Sequence, residues 1–110
     1  MSTMFEETGY SNTKFTLDLG KNFKTSNVTN MSYMFYKIGY SSTIFKLNIG
    51  NYFDTSNVTD MQSMFESAGY NSPLFSLDCR NWNVSKVEYY STFNSGVDSK
   101  VIAPSKFDEI

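Results

Sequence analysis

Residues 31–60 read MSYMFYKIGYSSTIFKLNIGNYFDTSNVTD, and the 30 residues before them read MSTMFEETGYSNTKFTLDLGKNFKTSNVTN. More than half of the positions are identical between these two copies, and MQSMFESAGYNSPLFSLDCRNW at 61–82 begins a third. Self-similarity at such a period is typical of an array in which each unit buries its apolar side against its neighbours. The sequence therefore predicts one repeat domain over 1–110, divided into copy 1 (1–30), copy 2 (31–60), a shortened copy 3 (61–86) and a degenerate C-terminal cap (87–110).

Each copy opens with apolar residues at helical spacing. Met31, Met34, Phe35 and Ile38 follow the pattern i, i+3, i+4, i+7, and Gly39 comes directly after them. Such spacing places the four side chains on one face of a helix, and a glycine at this point ends a helix at little steric cost. The pattern predicts one short helix per copy.

A stretch with strict alternation of apolar and polar residues follows in each copy. Side chains two positions apart share one face of a strand, so the apolar ones are expected to point inward. The predicted inward residues are Phe15, Leu17, Leu19, Phe45, Leu47, Ile49, Phe75, Leu77 and Cys79. Because parallel neighbours need a crossover, stacking the copies predicts a small parallel sheet with the helices as connections, which is an α/β solenoid.

The composition argues against several classes of function. The net charge of −2, with nine basic and eleven acidic residues spread along the chain, offers no basic face for nucleic acid. Apolar runs are too short for direct membrane insertion. The chain has one cysteine, Cys79, and no histidine, so we expect no disulfide within the chain, no metal and no cofactor.

The stretch FDTSNVTDM at 53–61, followed by Met64 and Phe65, resembles the repeat of BspA-like leucine-rich-repeat surface proteins, found in mycoplasmas, clostridia and other gut or oral bacteria. The resemblance extends from Met1 to about Val87, although the 30-residue period is longer than the usual repeat. It implies an α/β fold: a short leucine-rich-repeat-like solenoid with a small parallel sheet and one short helix per 30-residue repeat. It also implies an exported surface protein with a role in adhesion and brings no catalytic residues.

Two sets of residues are candidates for ligand binding. The polar residues of the strands would form two columns on the outer sheet face, and the tyrosines that follow the glycines would form an aromatic row. The columns are Thr16, Lys46 and Ser76, and Asp18, Asn48 and Asp78; the row is Tyr10, Tyr40 and Tyr70. Both sets also have a structural interpretation, the columns as a solvated sheet face and the tyrosines as side chains packing on the last helical turn.

The sequence favours a non-enzymatic binding or adhesion module over a catalyst. Cys79 lies at an inward position with no histidine to activate it, and no catalytic constellation is recognisable. The expected partners are host or microbial surface proteins or glycans and neighbouring repeats of a longer parent chain. The expected location is extracellular or at the cell surface, with export signal and anchor outside this chain. The alternative is a rigid spacer or stalk without a ligand of its own.

Overall fold

The computed structural model of the protein describes residues 1–108. Its regular elements are β1 (Lys14–Asp18), β2 (Ile44–Asn48), β3 (Leu77–Asp78), β4 (Val101–Ile102) and a short 3-10 helix (Ser105–Asp108). β1 pairs with β2 and β3 with β4, both in parallel, as two separate two-stranded sheets. In the first sheet each residue lies opposite its equivalent in the next copy, as Phe15 lies opposite Phe45.

The predicted helices are absent, so the predicted fold class is wrong. Over 1–108 the chain contains no α-helix, and turns and irregular segments surround the two small sheets in place of a leucine-rich-repeat-like solenoid with one helix per copy. Residues 32–41, where the helix of copy 2 was expected, form a run of consecutive turns.

The hydrogen bonds of this run explain why it is not helical. The N–H groups of Met34 and Ile38 donate to carbonyl oxygens three residues back, whereas those of Tyr33, Phe35 and Lys37 donate to carbonyl oxygens of copy 3. Tyr33 and Lys37 have φ angles of 57° and 54°, in the left-handed region. A helix would satisfy these groups within the copy, and here bonding between copies replaces that pattern.

The apolar spacing nevertheless selects the correct inward side chains. Met31, Met34, Phe35 and Ile38 are completely buried, and a core of buried residues extends from copy 2 through copy 3. The equivalent Phe5 of copy 1 is only partly buried and packs at the margin of this core. A repeat of three and four residues can therefore arise from successive turns as well as from a helix.

The alternation predicted for the strands is present on both faces. Phe45, Phe75 and Cys79 are buried, and the other six predicted inward residues are at least partly buried and pack against the core. The polar residues between them are exposed. The inward comb of the sequence analysis is confirmed in its facing, although it belongs to two sheets rather than one.

A proline accounts for the break between β2 and β3. The N–H of Thr43 donates to the carbonyl oxygen of Thr13 at 3.0 Å and joins copy 2 to copy 1. Copy 3 has Pro73 at the equivalent position, and proline has no N–H to donate. The neighbouring Leu74 is 93% exposed, and β3 pairs with β4 instead.

Copy 3 is shorter than copy 2 by a single residue. Asn30 pairs with Asp60 at an offset of 30, and Asp60 pairs with Tyr89 at an offset of 29. The missing residue lies in the connection after the strand, where Cys79, Arg80, Asn81 and Trp82 replace the longer stretch 49–53.

Threonine hydroxyls join these connections from copy to copy. Thr25 Oγ1 donates to the carbonyl oxygen of Asp54 at 2.8 Å and accepts from its N–H at 2.6 Å, and Thr55 Oγ1 donates to the carbonyl oxygen of Asn83 at 2.7 Å. Both threonines are buried. The Thr-Ser-Asn-Val segment therefore has a packing role at the copy interfaces.

Two lysine ammonium groups close the last described edge. Lys100 Nζ donates to the carbonyl oxygens of Gly69, Tyr70 and Ser72, at 3.4, 3.1 and 2.6 Å. Lys106 Nζ donates in the same way to those of Val84, Ser85 and Val87, at 3.0, 3.4 and 2.8 Å. Carbonyls that a further copy would otherwise satisfy are bonded here by side chains, as a C-terminal cap requires. The division into three copies and a cap stays a prediction.

Within residues 1–108 we find no helix with the length and hydropathy needed to cross a bilayer.

Candidate binding surface

The two predicted polar columns lie on an exposed face. Their six residues are all exposed, and parallel pairing in register brings Thr16 beside Lys46 and Asp18 beside Asn48. Because β2 and β3 do not pair, this ladder does not extend to Ser76 and Asp78. The structure thus assembles the columns across two copies and leaves the third member of each on a separate sheet.

The second column has a structural role of its own. Asp18 Oδ1 accepts the N–H of Gly20 at 2.8 Å, Asn48 Oδ1 that of Gly50 at 3.0 Å, and Asp78 Oδ1 that of Arg80 at 3.0 Å. These bonds form Asx turns that end the strands. One oxygen of each side chain is therefore already used, and the first column is the freer of the two for a ligand.

Asp78 also forms the only salt bridge of the described part of the chain. Its Oδ2 lies 2.8 Å from Nη2 of Arg80, and both side chains are well exposed. The side-chain and backbone hydrogen bonds from Arg80 lower the pKa of Asp78 to about 2. The carboxylate is therefore charged at all physiological pH values and paired within its own turn.

The three tyrosines form a stacked ladder. The rings of Tyr10 and Tyr40 have centroids 5.1 Å apart at an interplanar angle of 7°, and those of Tyr40 and Tyr70 are 5.2 Å apart at 12°. Each ring therefore covers its neighbour, and no helix lies beneath them. The ladder leaves mainly ring edges and hydroxyl groups open to a ligand, so it is poorly suited to bind a sugar between successive rings.

Cys79 is part of the interior. Its side chain is fully buried, and burial together with the nearby Asp78 raises the pKa of the thiol. A thiol held in this way is not a nucleophile at neutral pH.

A groove that the sequence analysis did not identify lies over the connections after the strands. It encloses about 380 Å³ and has residues from all three copies in its lining, among them Lys24, Tyr52, Asp54 and Trp82. The Tyr52 ring is 55% exposed, and Lys24 Nζ lies 5.7 Å from its centroid. Trp82 is partly buried, with its ring 5.4 Å from that of Phe53 and 5.9 Å from that of Phe65.

The groove arises where the repeat is irregular. Tyr52 precedes Phe53, and Trp82 has the position of Phe53 in copy 3, but the residue that would match Tyr52 is the one that copy 3 lacks. The Tyr52 ring consequently has no counterpart beside it in copy 3. The signal available in the sequence was this one-residue deletion next to the chain's single tryptophan.

The polar lining of the groove is mostly uncharged. Asn51, Asn81 and Asn83 contribute amides, and Asp54 is a carboxylate whose pKa is lowered by hydrogen bonds from the hydroxyl and N–H of Ser56. Over residues 1–108 we find no group of three histidine, cysteine, aspartate or glutamate side chains placed to hold a metal ion. The arrangement can accept and donate hydrogen bonds beside two aromatic rings.

Comparisons with curated proteins and with solved structures give no match. A protein-family model, described as Mycoplasma protein of unknown function, DUF285, matches residues 1–100. A match over that share of the chain establishes membership, so the protein belongs to the DUF285 family.

Proposed function

We propose that this chain is a binding or adhesion module of an exported bacterial surface protein, related to the BspA-like repeat proteins, and that it is not an enzyme. The observation that supports this most is the exposed first column, where Thr16 and Lys46 lie side by side on a rigid paired sheet. These two side chains take no part in the hydrogen bonds of the described residues. A protein or glycan meeting this face would therefore find donors and acceptors that folding has not used.

The membership in a mycoplasma family supports the proposed location at the cell surface. Copy 1 supports a second partner, neighbouring repeats of a longer parent chain. Its Phe5 and Phe15 are only partly buried, whereas the equivalent Phe35 and Phe45 of copy 2 are buried. A further repeat packed on copy 1 would remove this apolar surface from water.

The alternative is a rigid spacer, and the side-chain bonding offers one observation in its favour. The second column is engaged in Asx turns and the tyrosines in stacking on one another. Residues that maintain the regularity of a stack need no ligand to explain them. In this second candidate the exposed face is simply solvated.

An array of purified extracellular-matrix proteins and surface glycans distinguishes the two. We expect the wild-type chain to bind at least one component and the double variant Thr16→Lys, Lys46→Glu to lose that binding, while the control Lys86→Glu, which reverses a charge away from the strands, retains it. Equal binding by all three proteins would contradict a site on the sheet face. Absence of binding by the wild-type chain across the array would favour the spacer.

A further inference from the structure

We propose that the groove between Tyr52 and Trp82 binds one uncharged sugar residue of a glycan. The proposal rests on the proposed function as a binding module, but it places a ligand of stated chemistry at a site separate from the polar columns. The groove is the place where the repeat is irregular, and its lining residues are not required to match from copy to copy.

The shape and size of the groove suit a small ligand. Its 380 Å³ lies within the range of small-molecule pockets, about 300–1,000 Å³. Tyr52 contributes an aromatic ring that is more than half exposed, whereas Trp82 is fixed against Phe53 and Phe65. The apolar C–H face of a pyranose ring packs on such surfaces, and the rigid rings lose little conformational entropy on binding.

The polar groups around the rings match hydroxyl groups better than charges. Asn51, Asn81 and Asn83 each have an amide donor and acceptor, and each hydroxyl of a sugar can serve both. Asp54 adds a carboxylate, with one oxygen accepting the N–H of Ser56 at 2.8 Å and the other available to accept from a hydroxyl.

Charge complementarity favours a neutral ligand over an acidic one. The groove has one cation, Lys24, and one anion, Asp54, so their charges compensate. Lys24 Nζ lies over the Tyr52 ring, where the cation is attracted to the ring face. An anionic sugar would be repelled by Asp54, and a basic peptide by Lys24.

Trp82 makes the test direct because it is the only tryptophan in the chain. Its fluorescence, excited selectively, can be followed while the chain is titrated with methyl glycosides of glucose, galactose and N-acetylglucosamine and with their disaccharides. We expect a saturable change with at least one of them. Tyr52→Ala should weaken binding about tenfold or more, since it removes the exposed stacking ring.

Tyr89→Ala is a matched control, because Tyr89 is 59% exposed, similar to Tyr52, and lies outside the groove. It should leave the titration unchanged. Asn51→Ala, a smaller change at an exposed position, should weaken binding about three- to tenfold and serves if Tyr52→Ala fails to fold.

Several results would overturn the proposal: no saturable response to any sugar of the panel, an equal response in Tyr52→Ala and wild type, or a response to sialic acid or a tripeptide alone. The double variant of the sheet face, Thr16→Lys, Lys46→Glu, should retain the fluorescence response. If that variant loses all glycan binding while Tyr52→Ala keeps it, the groove is excluded and the sheet-face function stands.

Discussion

Copies 1 and 2 are joined by a regular interface, whereas copies 2 and 3 meet through an irregular one. At the first, β1 and β2 pair over five residues in register. At the second, Pro73 removes an N–H donor and one residue is missing before Trp82. The regular interface buries the strands' apolar residues and presents ordered polar rows. The irregular one opens a groove, which teaches that the features distinguishing one copy from the next lie where periodicity fails.

Removing the ring shared by both interfaces should have the largest effect. Phe35 is fully buried, with ring centroids 5.6 Å from Phe5 and 5.1 Å from Phe65. Phe35→Ala should lower the free energy of unfolding by about 3–5 kcal/mol through the cavity it leaves. Phe5→Ala, at the same position in copy 1, should cost about 1–2 kcal/mol, since that ring is only partly buried. Urea denaturation of both variants provides the comparison, and equal losses would show that copy 1 is as well packed as copy 2.

A glycine pair tests the regular interface alone. Gly50 has a φ of 78°, and a Cβ added there would collide with the carbonyl oxygen of Gly20, whereas a Cβ on Gly20 would meet nothing. Gly50→Ala should therefore cost about 2–4 kcal/mol, from backbone strain and the displaced neighbour. Gly20→Ala should cost only the strain, about 1–2 kcal/mol. Thermal and urea melts of the two variants decide whether the close approach of the copies matters, and a larger loss for Gly20→Ala would contradict it.

Restoring a donor at the irregular interface should change stability little but local protection clearly. Pro73→Thr supplies an N–H opposite the carbonyl oxygen of Thr43. One hydrogen bond is worth about 0.5–1.5 kcal/mol, and losing proline's restriction of the unfolded chain costs about 0.4–1 kcal/mol. We expect a net change below about 1 kcal/mol and slow hydrogen exchange of the residue 73 amide. Exchange at the unprotected rate would mean that the sheets stay apart for another reason.

The smallest effect concerns the strand end of copy 3, where Arg80 replaces the glycines of the other copies. Because the pKa of Asp78 is lowered to about 2, its contribution to stability is present above the ordinary carboxyl pKa and is lost as the pH falls from about 4 to 2. An NMR titration of the carboxyl carbon should show this, and Arg80→Gln should return the pKa towards its usual value. A pKa unchanged in that variant would assign the shift to the backbone N–H alone.

The inward residues could be predicted from the sequence, but the backbone that presents them could not. Phe45 and Cys79 face inward because alternation admits only one arrangement on a strand with a buried side. Met34 and Phe35 face inward as well, yet their spacing is equally compatible with consecutive turns. What decides against a helix is the bonding of Tyr33, Phe35 and Lys37 to the next copy, which depends on residues about 30 positions away.

The candidate sites divide in the same way. The exposure of Thr16 and Lys46 followed from the alternation, whereas the stacking of Tyr10 on Tyr40 required knowing how the copies align. The groove at Tyr52 could not be predicted, since it depends on where the missing residue of copy 3 falls. The sequence alone allowed a deletion of four residues there, and the bridge between Asp60 and Tyr89 shows one.

The constant offset between copies 1 and 2 has an evolutionary consequence. Their strand pairs join residues 30 positions apart, so the boundary between copies is arbitrary within the first 60 residues. Duplicating any window of that length by unequal recombination would insert a layer that finds matching partners on both sides. The reach of such a protein can thus lengthen or contract by whole layers while the lysine-bonded end and the Tyr52 groove are inherited intact.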